Sequence, residues 1–374
     1  MGRLTRAETQ ERNRARVLAA AREEFAERGF RDAKIDNIAE RAGLTRGAVY
    51  SNFPGKRALY FAVLADLAHE AGSPSSAPDP GRTPREALGA FARAWVARLP
   101  LATGDPEGTA RLGVDLVPEI AAEERLRLPF AQLMKLNAIL LGLSLEALAR
   151  TDRRMVKVAE AVLTTLHGVS RLAAAAPGFV EPFDAIGVCE RLAELEPGGG
   201  WPPPHLSWIA PARPADRPRP WTPPPATDAV RAEPARLAGD RVVAVLGPHR
   251  LEAIEEAVRA VPPGVEVTAV LVTGDPDELG ALARLTVADL RACLVRSFPP
   301  STWPRLRIVH DPAGALAAAA GVAAVSDATE AAVRVESGRI TAYAEGRGAC
   351  HAAASFTEGA PGPAPRLQAP PTWR

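Results

Sequence analysis

The sequence predicts a multidomain chain, with an all-helical N-terminal part followed by a separate α/β domain. Three observations predict this. Apolar residues recur at helical spacing as far as Leu195. Residues 196–236 hold 12 prolines in 41 residues, with Gly198-Gly199-Gly200 at the front; prolines remove backbone donors and fix φ, so a semi-rigid linker is expected there. Beyond that stretch, short apolar runs alternate with helical ones. The length of 374 residues fits two or three domains at roughly 100–200 residues each.

Charge and cysteine content exclude several classes. With 45 Lys and Arg against 44 Asp and Glu, the chain is no polycation, so any nucleic-acid-binding patch must be local. Three cysteines (Cys189, Cys293, Cys350), none in a CxxC pair, argue against a disulfide scaffold, a zinc knuckle or a dithiol redox motif. No uncharged apolar run reaches a membrane-spanning length, and no apolar leader follows Gly2-Arg3-Leu4-Thr5-Arg6. The expectation is a cytoplasmic protein without a membrane partner.

The N-terminal elements read in order. A first helix carries Leu18, Ala21 and Phe25 on one face and stops at Gly29. Ile35, Ile38, Ala39 and Ala42 follow the i, i+3, i+4, i+7 pattern of a short one-sided helix. Gly43-Leu44 turns the chain, and Thr45 is a suitable N-cap for a third helix over 45–53. Pro54-Gly55 ends it, and a fourth helix begins near Lys56 with Leu59, Val63 and Leu67 inward. Two short helices joined by a glycine turn make a helix-turn-helix. When such a unit binds DNA, the start of its second helix meets base edges in the major groove. Up to Ala68 there are 13 basic and 9 acidic residues, a local net charge of +4.

Gly29-Phe30, Ile38-Ala39, Ala42-Gly43-Leu44, Gly47, Tyr50, Phe53, Lys56 and Leu59 together resemble the TetR family of transcriptional regulators. The resemblance implies a DNA-binding domain over 9–68. It implies base contacts from Arg46, Gly47 and Tyr50, and phosphate contacts from Tyr50, Ser51, Asn52 and Lys56, with Thr45 opening the helix. The sequence departs from the family pattern at Ala33-Lys34, where Ser or Thr usually caps the second helix. Lys34 is then expected to serve a phosphate as a point charge.

By the same resemblance, residues 84–195 form a helical ligand-sensing and dimerisation domain, with breaks expected near Gly104-Asp105-Pro106, Pro129, Thr151-Asp152 and Pro177-Gly178. Its last two helices are expected to pair across a two-fold axis. A ligand pocket could draw on Phe91, Trp95, Phe130, Met134, Asn137 and His167, although residues of these types at such positions are more often plain core.

After the linker, residues 237–356 read strand-helix-strand-helix-strand-helix-strand-strand, with Ser337-Gly338 as a hairpin turn. The run 311–316, then Ala320-Gly321-Val322 and the segment 334–340, resemble thioredoxin-like and peroxiredoxin domains. Such enzymes need a low-pKa cysteine at the start of the first long helix, but Gly247-Pro248-His249-Arg250 stands there. No catalytic residue, cofactor or metal is therefore expected. Residues 357–374, rich in Pro, Gly and Ala, are expected to be a disordered tail.

The combined expectation is a ligand-responsive homodimeric repressor. It would bind a palindromic operator in double-stranded DNA through 45–53 and answer to a small-molecule inducer of unknown identity. The alternative is a redox-active thioredoxin-like protein with a regulatory helical head.

Overall fold

The computed structural model describes residues 5–72, 80–99, 112–196 and 209–357. Helix α1 (Arg6–Asp32) starts at a reciprocal cap in which the Thr5 hydroxyl accepts from Glu8 N and the Glu8 carboxylate accepts from Thr5 N. Gly29, at φ 72°, breaks it one turn before its end, as the sequence predicts. Helices α2 (Ile35–Arg41), α3 (Arg46–Asn52) and α4 (Lys56–Ala71) follow. Phe25, Phe30 and Tyr60 pack ring against ring between α1 and α4. The buried Glu24 carboxylate accepts from Asn37 Nδ2 (2.8 Å) and Lys34 N (3.3 Å) and pairs with Arg28 and Arg41, fixing α2 against α1.

The helical part continues through α5 (Pro84–Val96), α6 (Leu116–Ala122), α7 (Glu124–Ala149), α8 (Val156–Ala175) and α9 (Pro182–Leu192). Pro129 does not break α7. It lies near the helix start, so its ring forfeits one intrahelical bond, to Arg125 O, and the rest of the helix is held by its buried face. The expected breaks after Ala149 and Ala175 do occur, the first through Arg150 in the left-handed region and the second next to Gly178. Val158, Val162 and Leu166, at helical spacing along α8, are fully buried and belong to the core.

A six-stranded sheet forms from β1 (Arg213–Pro220), β4 (Arg241–Leu246), β5 (Glu266–Leu271), β6 (Leu306–His310), β7 (Glu330–Glu336) and β8 (Arg339–Glu345), in the order β1-β8-β7-β4-β5-β6. β4, β5 and β6 are parallel; β7, β8 and β1 are joined antiparallel. Helices α10 (Ala253–Ala260), α11 (Leu279–Leu294) and α13 (Ala349–Ala354) cover one face, and α12 (Ala315–Ala320) covers the other. The hairpin turn at Ser337-Gly338 has positive φ at both residues, as such turns require.

One expectation is corrected. The proline-rich stretch 196–236 is not simply a linker. Its second half supplies β1 on the β8 edge, carries Trp221 under the sheet, where Nε1 donates to Leu237 O, and forms a two-stranded turn from β2 (Thr227–Asp228) and β3 (Glu233–Pro234). At the other edge, Ala229 N donates to Ile308 O on β6. An edge strand tolerates prolines because its outer side needs no donors. Residues 197–208 lie outside the described residues, as do the expected break near Gly104-Asp105-Pro106 and the expected tail beyond residue 357.

The α/β part forms its own mixed sheet region, as expected, and packs directly on the helices. Its core is continuous with that of the helices, and α11 lies against α4, α5 and α7. Arg154 grips Glu255 through two bonds of 2.6 and 2.7 Å, and Arg259 grips Glu146 likewise. Arg98 pairs with Asp289 at 2.9 Å. Gly81 N donates to Ser297 O, and a Cβ on Gly81 would strike the backbone of Ala87 at 2.3 Å, so only glycine fits where the chain enters α5.

Candidate nucleic-acid interface

Thr45 caps α3, its hydroxyl accepting from Ala48 N at 3.2 Å. Val49 and Phe53 face the core, which turns the first exposed positions of α3 outward. Arg46 and Tyr50 stand side by side on that outer surface, with the guanidinium 5.6 Å from the centre of the ring. Tyr50 is 41% exposed, far from a core tyrosine. Arg46 also pairs with Asp36 of α2 at 3.3 Å. Gly47 meets no internal obstacle: an added Cβ would lie 3.9 Å from the Thr45 hydroxyl, so nothing inside the fold demands glycine there.

The other sequence-predicted residues differ in how free they are. Lys34 is exposed at the start of α2 and makes no side-chain cap, as its departure from Ser or Thr implies. The Ser51 hydroxyl donates to Ala48 O at 2.9 Å, so it must turn to reach a phosphate. Asn52 uses one amide hydrogen on Ala48 O, and its side-chain oxygen is buried without a partner among the described residues. Lys56 bonds to the carbonyls of Arg31 (3.0 Å) and Ala33 (3.1 Å) above the ring of Phe30. Its ammonium closes the end of α1 and keeps one N–H for an outside acceptor. Arg14, which the sequence reading missed, donates to Asn52 O at 3.1 Å and covers the ring of Phe53, tying the end of α3 to α1.

In the helical part, four of the six pocket candidates meet. Phe91 stacks on Trp95 at 6.3 Å, and His167 stands edge-on to Trp95 at 4.9 Å and to Phe130 at 6.4 Å. Trp95 Nε1 donates to Ser170 Oγ at 2.9 Å. Burial, and then the nearby Arg98 charge, lower the His167 pKa to about 4, so this imidazole is neutral at pH 7. Asn137 is occupied elsewhere, donating to Thr286 O on α11, and Met134 is partly buried against the core. The three cysteines are free and buried, and burial pushes the thiols of Cys293 and Cys350 up, away from the thiolate form.

Residues 17–63 match the family described as bacterial regulatory proteins, tetR family. The chain is 49% identical over 69 residues to the HTH-type transcriptional regulator SrpR of Pseudomonas putida, spanning 18% of this chain and 32% of that protein. It is equally identical over 69 residues to the uncharacterized HTH-type transcriptional regulator TtgW, also of Pseudomonas putida, spanning 18% of this chain and 51% of that protein. The matched part is thus a third to a half of these relatives' own length. A TetR transcriptional regulator from Rhodococcus sp. RHA1 aligns with 50% of this chain at 21% identity, with a TM-score of 0.35. The N-terminal segment is therefore a helix-turn-helix domain of the TetR family.

Proposed function

We propose that the chain is a homodimeric transcriptional repressor that binds a palindromic operator through α3 and releases it when a small molecule binds. The carrying observation is the exposed pair Arg46 and Tyr50 at the start of a helix capped by Thr45, within the family-matched segment. Arginine there can donate two bonds to one guanine, and Lys34, Ser51, Asn52 and Lys56 surround it as phosphate partners. Pairing with a second copy is supported by α8 and α9. Leu172, Phe179, Phe183 and Val188 leave an apolar surface exposed there, with Phe183 81% accessible. Two half-sites one DNA turn apart call for such a two-fold arrangement. The aromatic group around Trp95 and His167 is the proposed inducer site. A DNA-binding role implies a cytoplasmic location.

For the C-terminal part we propose a thioredoxin-like arrangement without catalysis. The order β8-β7-β4-β5-β6, with β7 antiparallel to the parallel strands β4, β5 and β6 and β8 antiparallel to β7, supports that reading. The buried thiols of Cys293 and Cys350, pushed toward the neutral form, do not favour the redox alternative. The test is fluorescence anisotropy of the full chain with DNA flanking its own gene. Saturable, salt-sensitive binding with two protomers per palindrome is expected, and failure to retain any flanking sequence at low salt overturns the reading.

A further inference from the structure

The carboxyl ends of β4, β5 and β6 surround a recess that the helix-turn-helix does not explain. Its walls are apolar, among them Leu246, Leu251, Leu271 and Leu279, and two basic side chains enter it: Arg284 of α11 and His310 at the end of β6. Neither Arg284 nor His310 makes a side-chain hydrogen bond or ion pair among the described residues. Asp311 also reaches the rim, but its carboxylate accepts from Ala315 N and Ala317 N at 2.9 Å each and is held by the start of α12. Burial disfavours the charge on Arg284, and the nearest acidic groups, Asp66 and Asp277, only partly offset that. A half-buried guanidinium without a hydrogen-bonding partner, in a recess with apolar walls, gains by meeting an anion.

We infer that this recess binds a small aliphatic carboxylate, its head bridged by Arg284 and His310 and its carbon body against the leucine wall. Three features select that class. The planar guanidinium matches a carboxylate through two parallel bonds. His310 is held neutral, its pKa lowered by burial and by Arg284 to about 4, so the site offers one positive charge, suited to a monoanion rather than a phosphate dianion. The cavity is about 30 Å³, room for two or three water-sized groups at about 10–15 Å³ each, which suits a carboxylate head. The open side leaves a longer tail somewhere to go.

The recess is wired to the DNA-binding head. Its lip, 273–279, is tied to α4 and α7 by Arg57–Glu278 (3.2 Å), Arg125–Glu278 (2.5 Å) and Arg125–Asp275 (3.2 Å). Asp66 of α4 is drawn electrostatically to both Arg284 and Arg14, and Arg14 holds the end of α3. An anion on Arg284 offsets one of the three cations acting on Asp66, leaving Arg14 and His69. Occupancy of the recess is thereby transmitted to the clasp on α3. This second step rests on the proposed DNA-binding function; ligand binding itself does not.

The test is calorimetric titration of the full chain with butyrate, butyramide and inorganic phosphate, first without DNA. Saturable binding of butyrate alone is expected. Arg284→Met should weaken it at least about tenfold, the effect of losing a charge-assisted bond. Gly280→Ala is a second variant. Its added methyl would sit in ordinary contact with Arg284, Pro276 and Thr273 at 3.6–3.8 Å, so it leaves the fold intact while narrowing the mouth. Equal butyrate binding by wild type and both variants, stronger binding of butyramide or phosphate, or no binding at all overturns the site. Titration with operator DNA then reads the coupling. A change in DNA affinity with butyrate in wild type but not in Arg284→Met supports it. Unchanged affinity despite bound butyrate overturns the coupling and leaves the site standing. Loss of DNA binding under every condition speaks against the DNA-binding reading instead.

Discussion

Arg46 and Asp36 face each other across the turn between α2 and α3, the guanidinium 3.3 Å from the carboxylate. The side chain best suited to a base edge is therefore held by an acidic neighbour in the free protein. Both groups are largely exposed, so the pair is weak and easily exchanged for a nucleic-acid acceptor.

Arg46→Ala should lower operator affinity about tenfold to a hundredfold and relax preference at one base position. Asp36→Asn should instead strengthen binding to all DNA sequences, because it removes a negative charge near the phosphates as well as the competing partner. Anisotropy titrations against operator variants at two salt concentrations separate the two effects. Equal weakening by both changes contradicts the arrangement.

Glu24 is fully buried and joins α1 to α2 through Asn37, Lys34 and two arginines. Glu24→Ala should destabilise the fold by about 2–3 kcal/mol. That is less than the ~3–5 kcal/mol of a broken buried pair, because Arg28 and Arg41 reach water once released. The urea midpoint and slope measure it, and a change below 1 kcal/mol (about the cost of one ordinary hydrogen bond) contradicts the role.

Phe183 is exposed beside Phe179 near the start of α9. Phe183→Asp should raise the dimer dissociation constant at least about thirtyfold, the effect of losing a central aromatic anchor. Light scattering during gel filtration should show monomers at concentrations where wild type is dimeric. Unaltered mass would place the self-association surface elsewhere.

His167 carries a pH signature. Its folded pKa of about 4 lies below the ordinary 6.5, so between these values the unfolded chain binds a proton that the folded chain does not. This residue's contribution to stability is present above about pH 6.5 and falls away as the pH drops toward 4. The difference in urea midpoint between wild type and His167→Gln should therefore change with pH across that window and flatten below it. A difference independent of pH would mean that His167 titrates normally.

The DNA-binding head was legible in the sequence because its determinants are local. A capping Thr45, a glycine break at Gly29 and one-sided apolar spacing each act within one or two turns. The alternation of strands and helices over 237–356 was legible for the same reason. The role of 213–220 was not, since proline content signals a lack of donors without saying that a sheet edge makes the lack harmless. Nor could periodicity reveal that α11 turns its apolar side to α4, because it shows that a face is buried but not what covers it. Lys56 illustrates the same limit. Its place in the motif suggested a phosphate, yet only the fold reveals the carbonyls of Arg31 and Ala33 beneath it. The recess beside Arg284 joins residues from 246 to 312 and has no local sequence signature.

The segment that leaves the helices and crosses beneath the sheet treats both of its flanks. Pro214, Pro218 and Pro220 blunt the β1 side, while the turn at Asp228 and Arg231 seals β6 with bonds to Leu306 O and Pro304 O. Open flanks recruit further strands from neighbouring molecules. The proline-rich strap thus leaves neither edge of this sheet as a bare template for such pairing.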